Sequence, residues 1–214
     1  MAALRGAFIR LDAGLLGFAP NIVIFQFNPD TITRSPSLVA PPLAPSGSGP
    51  QAPQQQPAEP SEQIAFTLRL DATDQLALGD PIATGSGILP VLSALEILQY
   101  PKSSLASSLF GGAPQPYQNP PTELPTVLFF WGQYRILPVT VNSLSVTETQ
   151  YDQLLNPVRA EVSVSLSVLT RSQLPADARF ARGAYEYTQG AKEVMAAVNL
   201  ASPIDVITKT LGSL

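Results

Sequence analysis

The 214-residue chain contains no cysteine and no histidine. Without thiols there are no disulfides, no thiolate metal sites and no cysteine nucleophile, and the redox compartment leaves no mark on the sequence. Without imidazole, the usual acid–base and nucleophile arrangements would have to come from carboxylates, lysine, tyrosine or serine alone. Charge is also scarce, at 13% of residues against 45% apolar, so an interior is well supplied while an isolated surface has little charge to keep it dispersed. Association with other subunits would remedy that. The net charge of −4 and the scattering of twelve basic residues argue against a general nucleic-acid binder, which needs clustered Lys and Arg to neutralise phosphates.

Long hydrophobic runs are missing too. The longest uncharged, apolar-looking stretch, Ala13 to Pro29, holds Pro20, Asn21 and Gln26 and falls short of the roughly 20 residues of a membrane helix. No membrane span is expected. Arg10 and Asp12 interrupt the apolar stretch begun by Leu4, Phe8 and Ile9, so no signal peptide is expected either. A compact fold of this length buries roughly 70% of its unfolded surface, and one core suffices.

What is present is mainly strand pattern. Ala7 to Leu11 and Ile22 to Phe27 are rich in aromatic and β-branched residues, and Asn28, Pro29 and Asp30 end the second. Ile64, Phe66, Leu68 and Leu70 alternate with Ala65, Thr67, Arg69 and Asp71, the period-2 pattern of a half-buried strand. Thr126 to Tyr134 and Val139 to Thr147 read as two further strands, the second changing phase between Val141 and Leu144, which predicts a bulge near Asn142 and Ser143. In the last strand Val158, Ala160, Val162, Val164, Leu166 and Val168 alternate with Arg159, Glu161, Ser163, Ser165 and Ser167. One face is apolar and the other hydroxyl-rich, as suits either an ordinary solvent face or the lining of a hydrated channel.

Helix and linker signals punctuate the strands. Ile88 to Tyr100 places Val91, Leu92, Leu95 and Leu98 at helical spacing, with Pro90 in the first turn and Pro101 closing the end. From Pro36 to Pro60 there are eight prolines in 25 residues and a single charge, Glu59, a composition that builds no core and reads as an extended arm or a surface loop. Residues 101–125, with Gly111, Gly112 and five prolines from Pro114 to Pro125, form a second such connection. From Pro175 the pattern turns helical, with Ala191, Val194, Met195 and Val198 on one side, and Ser202-Pro203 reads as a second helix start closed by Gly212. The apolar Ile204, Val206, Ile207 and Leu211 require cover, from the chain's own domain or from a partner.

Candidates for chemistry are few. Asp71 with Asp74, and Glu148 with Asp152, could form carboxylate pairs or hard-cation sites, but neither has the spacing of a calcium loop and both suit solvated turns. Gly79, Gly85 and Gly87 do not form a phosphate-cradling motif. Trp131, with Phe129, Phe130 and Tyr134, suits either a core or a stacking platform. No catalytic residue, cofactor or metal ligand is identified, and an enzyme is not expected.

Two sequence signatures carry a family resemblance. Phe25-Gln26-Phe27-Asn28-Pro29-Asp30 resembles the F-x-F-N-P signature of tube-to-baseplate adaptor proteins in contractile, phage-tail-like injection systems. The ordered set Pro120-Pro121, Phe129-Phe130-Trp131-Gly132, Tyr151 and Asn156-Pro157-Val158-Arg159-Ala160 is similar to that family's PP…F-x-W-G…Y…P-x-R-A order. The likeness covers roughly residues 3 to 172.

The resemblance implies a mainly β, tail-tube-like sandwich or barrel over residues 1–172, with one packed helix and a helical C-terminal extension over 173–214. It further implies a homohexameric ring joining the inner tube protein to the spike or hub, with Ser163, Ser165 and Ser167 as lumen candidates. Synthesis and assembly would be cytoplasmic, in a particle that stays inside the cell or is released. The family's LysM-like C-terminal module has no counterpart here, and the tail, through Val194, Met195, Val198, Ile204 and Ile207, becomes the candidate contact to baseplate wedge or sheath subunits. A stacked inner-tube subunit and a monomeric β-sandwich binding module stand as alternatives.

Overall fold

The computed structural model describes residues 4–11, 21–38, 59–100 and 125–211, with side chains as far as residue 199. Seven strands form one antiparallel sheet: β1 (Ala7–Arg10), β2 (Asn21–Ile24), β3 (Ile32–Ser37), β4 (Ser61–Asp71), β5 (Val127–Phe130), β6 (Ile136–Tyr151) and β7 (Pro157–Val168). Their order is β2-β1-β5-β6-β7-β4-β3. The fold is mainly β, as the strand patterns predict.

The alternating segments behave as period-2 sequence requires. In β4 and β7 every second residue is buried, and the register pairs Ile64 with Leu166, Phe66 with Val164 and Leu68 with Val162 on the core face. The expected bulge is present, since the β6–β7 register shifts between Val141 and Ser143. It returns Leu144 and Val146 to the face of Val139 and Val141, opposite Val164 and Val162. Asn142, the extra residue, donates from Nδ2 to Ser167 Oγ at 2.7 Å.

The sheet curls strongly. Four strand steps separate β1 from β4, about 19 Å in a flat sheet, yet the rings of Phe8 and Phe66 lie 6.2 Å apart. Phe25 and Phe129 complete an aromatic centre with Phe8 and Phe66, centroid separations running from 5.1 to 6.4 Å. The helical segment covers the same core. It comprises α1 (Thr73–Ala77), α2 (Pro81–Ser86) and α3 (Leu89–Glu96), the last running into a 3-10 turn at Ile97–Gln99. Leu92, Leu95 and Leu98 are buried as the helical spacing requires, and Pro90 sits in the first turn. The carbonyls at its far end find donors on the sheet: Arg10 Nη1 reaches Ile97 O at 2.7 Å and Asn21 Nδ2 reaches Ala94 O at 3.2 Å.

Five expectations need correction. One packed helix is expected, but α1 and α2 precede it as single turns. β3 is unexpected and takes Pro36 and Ser37 out of the proline-rich segment; as an edge strand it tolerates Pro36 because the missing amide faces no ladder partner. The strand expected over Thr126 to Tyr134 stops at Phe130, because Gly132 at φ 74° turns the chain and Trp131 N–H closes the loop on Arg135 O at 2.8 Å. The strand expected over Ile22 to Phe27 ends at Ile24, with Phe25 adding one bond from its N–H to Gly6 O at 2.8 Å. Finally, Ser202-Pro203 starts no new helix: α4 (Arg179–Leu211) is continuous through it, with Pro203 offering no amide to the ladder. Gly212 and most of the two proline-rich connections, residues 39–58 and 101–124, lie outside the described residues.

The first half of α4 belongs to the β domain. Ala181 and Tyr185 are buried against Leu174, and Thr188, 1% exposed, bonds both backbone groups of Ile136. Tyr187 Oη donates to Gln133 O at 2.8 Å. At 1.5 Å per residue the 33-residue helix is about 50 Å long, so much of it extends beyond these contacts.

Candidate functional site

The residues of the F-x-F-N-P signature close the curled sheet. Phe25 faces the aromatic centre and is 2% exposed. Gln26 points the other way, and its side-chain amide serves the backbone of Asp71 twice, donating to Asp71 O at 2.5 Å and accepting from Asp71 N at 2.9 Å. A strand partner would make the same pair of bonds. Asn28 does likewise for the stretch before β1, accepting from Gly6 N at 2.9 Å and donating to Leu4 O at 2.8 Å. The signature thus ties two sheet regions that no backbone ladder joins.

Phe27, Asn28 and Pro29 meet Arg159 and Ala160 at one open cleft of about 830 Å³, which also takes in Asp30, Arg69, Asp71 and Glu161. With Arg5, which also lines it, the cleft holds three charges of each sign: Arg159 Nε lies 2.7 Å from Asp71 Oδ2, and Arg69 lies 3.5 Å from Asp30 and 3.6 Å from Glu161. Burial alone pushes the Asp71 carboxyl up, but hydrogen bonds from Thr73 and the Arg159 guanidinium outweigh it and hold the group below its ordinary value.

The remaining signature residues sit apart from this cleft. Trp131 stacks on Phe129 at 6.1 Å and packs beside Phe25 at 6.5 Å, while Gly132 supplies the turn that only glycine adopts readily. Trp131 is therefore core edge, and its outer side lines a recess of about 320 Å³ beneath α4. Pro157 is buried at the start of β7, and its carbonyl accepts from Ile88 N at 2.9 Å, anchoring α3. Tyr151 is exposed at the end of β6, opposite Pro157, where a hydrogen bond to Glu148 pushes its phenol up.

Of the other carboxylates considered for chemistry, Asp152 serves the backbone. Asp152 accepts from Asn156 Nδ2 and from the amides of Leu154 and Asn156, each at 2.8 Å, which lowers its pKa and shapes the β6–β7 turn. Among the described residues no cluster of three potential metal ligands occurs, and no helix is long and apolar enough to cross a membrane.

Ser163, Ser165 and Ser167 share one broad polar face with residues of three neighbouring strands. Reading across, Thr33, Ala65, Ser165 and Ser143 form one row; Thr67, Ser163 and Ser145 form the next; Ser35, Gln63, Ser167 and Thr140 form a third. Apart from Ala65 and the Arg69–Glu161 and Asp71–Arg159 pairs near one end, these rows carry short hydroxyl and amide groups.

On α4, Val194, Met195 and Val198 are exposed. Ile204 and Ile207 lie on the same helix, with side chains outside the described residues.

A charge cluster escaped the sequence reading. Glu62, 7% exposed, is met by the Nε of Arg34 and, at 3.6 Å, by Lys192 from α4. Burial pushes the Glu62 carboxyl up, but the Arg34 hydrogen bond and charge, with help from Lys192, outweigh it and hold the group below 4.5. A carboxyl whose folded pKa is depressed stabilises the fold above its unfolded value and loses that contribution as pH falls through the folded one. Stability should therefore decline below pH 4.5. Glu62→Gln should cost about 2 kcal/mol at neutral pH and show a shallower acid decline, measured as urea-unfolding free energy against pH. Parallel acid curves for the two proteins would rule Glu62 out as a source of the decline. No sequence signal marks the cluster, because its members come from three separate elements.

No protein-family model matches this chain, and no curated protein matches it in sequence.

Proposed function

We propose that this chain is a non-enzymatic structural subunit of a contractile injection system, a tail-tube-like β domain that forms a hexameric ring between the inner tube and the spike or hub. The observation that carries the reading is the meeting of the Phe27-Asn28-Pro29 signature with Arg159-Ala160 at the cleft where the curled sheet is tied shut. Two signatures 130 residues apart in the chain share one structural task there. The hydroxyl face around Ser163, Ser165 and Ser167 suits a hydrated lumen, since short neutral side chains grip neither sign of charge. β2 and β3 are the two sheet edges, and ring closure is one way to satisfy edges of this kind. The mechanism is the transmission of force: the subunit holds register while the sheath contracts, and no bond is made or broken.

Electron cryo-microscopy of native particles, with symmetry determined from the images, tests the reading. One six-fold layer between spike and tube is the expected result. Many stacked layers would make the chain the inner-tube protein, and absence from any particle would favour a monomeric binding module.

The exposed part of α4 is the proposed contact to wedge or sheath subunits. Tyr185, Thr188 and Lys192 hold the first half of the helix to the β domain, so an informative truncation begins after Met195. Removing residues 196–214 should leave the unfolding midpoint unchanged and abolish incorporation into particles. Normal incorporation of the shortened chain would exclude the tail from assembly.

A further inference from the structure

Beneath α4, three cations surround one carboxylate. Arg34 comes from β3, Glu62 from β4, Arg135 from the turn before β6 and Lys192 from α4. Arg34 and Lys192 both pair with Glu62. Arg135 is half-buried and, among the described residues, makes no ion pair and no side-chain hydrogen bond. Burial and the like charge of Arg34 both push its pKa down, with Glu62 only partly opposing them. Two positive charges are therefore in excess around one buried carboxylate.

The recess beside this cluster has apolar walls. Trp131, Ala191 and Met195 line it together with Tyr134 and the three cations. Met195 is 44% exposed, and Val198, one helical turn on, continues the apolar stripe out of the recess. Arginine, tryptophan, tyrosine and methionine are the side chains enriched in the buried centres of protein interfaces.

We propose that this recess receives an acidic side chain, flanked by apolar residues, from a partner chain. The carboxylate gives Arg135 the two-pronged partner that its planar guanidinium suits. It also relieves the repulsion between Arg135 and Arg34. The flanking apolar groups lie on Trp131 and along Met195 and Val198. A free small anion would use the cations and leave the apolar walls wet. The proposal stands on this recess alone and does not depend on the ring reading.

Trp131 is the only tryptophan in the chain, so the full-length protein reports occupancy through its own fluorescence. The probes are a blocked leucine–glutamate–leucine tripeptide, its glutamine counterpart and succinate. The glutamate peptide should change the emission saturably, with the glutamine peptide binding at least about tenfold more weakly, a difference of about 1.4 kcal/mol. Arg135→Gln should weaken the glutamate peptide by a similar factor without lowering the unfolding midpoint, because among the described residues the Arg135 side chain holds no other group and its charge is penalised by burial and by Arg34. A flat titration, or equal binding of the two peptides, would overturn the proposal. Succinate binding as tightly as the glutamate peptide would overturn it too, and make the recess a small-anion site.

Discussion

Phe129→Ala should lower the unfolding free energy by about 4 kcal/mol, the middle of the range for removing a buried aromatic ring. Phe129 is fully buried and touches Phe8 at 5.7 Å, Phe25 at 6.4 Å, Phe66 at 5.4 Å and Trp131 at 6.1 Å. Those partners come from β1, the segment after β2, β4 and the β5–β6 turn, so the ring fills the space between the two ends of the curled sheet. None of the four can close the gap without pulling its own strand from its ladder. A domain of this kind has only about 5–15 kcal/mol in hand, and the substitution removes a large part of it. Equilibrium urea unfolding followed by Trp131 emission measures the loss. A loss below about 2 kcal/mol, the low end for large-to-small core changes, would mean that the aromatic centre collapses around the hole.

Gly87→Ala should cost about 3 kcal/mol, from two separable sources. Gly87 has φ 58° and ψ −129°, a sparsely populated region outside the left-handed helical well that costs an L-residue about 1–3 kcal/mol. An added Cβ would also stand 2.1 Å from Pro157 O, the carbonyl that accepts the Ile88 amide. That carbonyl is backbone at the start of β7 and cannot turn aside without releasing the bond that begins α3, a further loss of about 1 kcal/mol. Gly79→Ala is the comparison: its φ is 70°, and nothing lies within 4 Å of the added carbon, so it should cost only the strain of its own positive φ, about 1–2 kcal/mol. Chemical unfolding of both variants separates the sources. Equal losses would show that Pro157 moves away freely.

How much of this was legible in the sequence depended on how much of each element's pattern is written in burial. β4 and β7 alternate cleanly because one face meets the core along their whole length, and the phase change at Asn142 announced the bulge. β3 gave no such pattern, since only Ile32 of its six residues is even half-buried. The helices α1 and α2 are five and six residues long, too short for a 3.6-residue period to repeat. Ser202-Pro203 carried correct helix-start chemistry in a place where a helix was already running. The signature residues were visible as a motif, but their shared cleft was not, because it exists only after the sheet curls to bring Gln26 to Asp71. Gln26 itself was passed over as the variable position within the signature, although its amide makes the tie. The Glu62 cluster was invisible for a related reason: Arg34, Arg135 and Lys192 become neighbours only when β3, the β5–β6 turn and α4 converge.

The tie between Gln26 and Asp71 also sets how the domain answers a pull. Along β4 and β7 the paired residues from Glu62–Val168 to Asp71–Arg159 share a load applied parallel to the strands, so they resist together. Across the seam the polar links among the described residues are the two bonds of one side-chain amide and the Arg69–Asp30 ion pair. A force that parts the seam meets these in succession, as a zipper does. The direction of an applied pull therefore decides whether the domain behaves as a stiff strut or as a sheet that unrolls from Gln26.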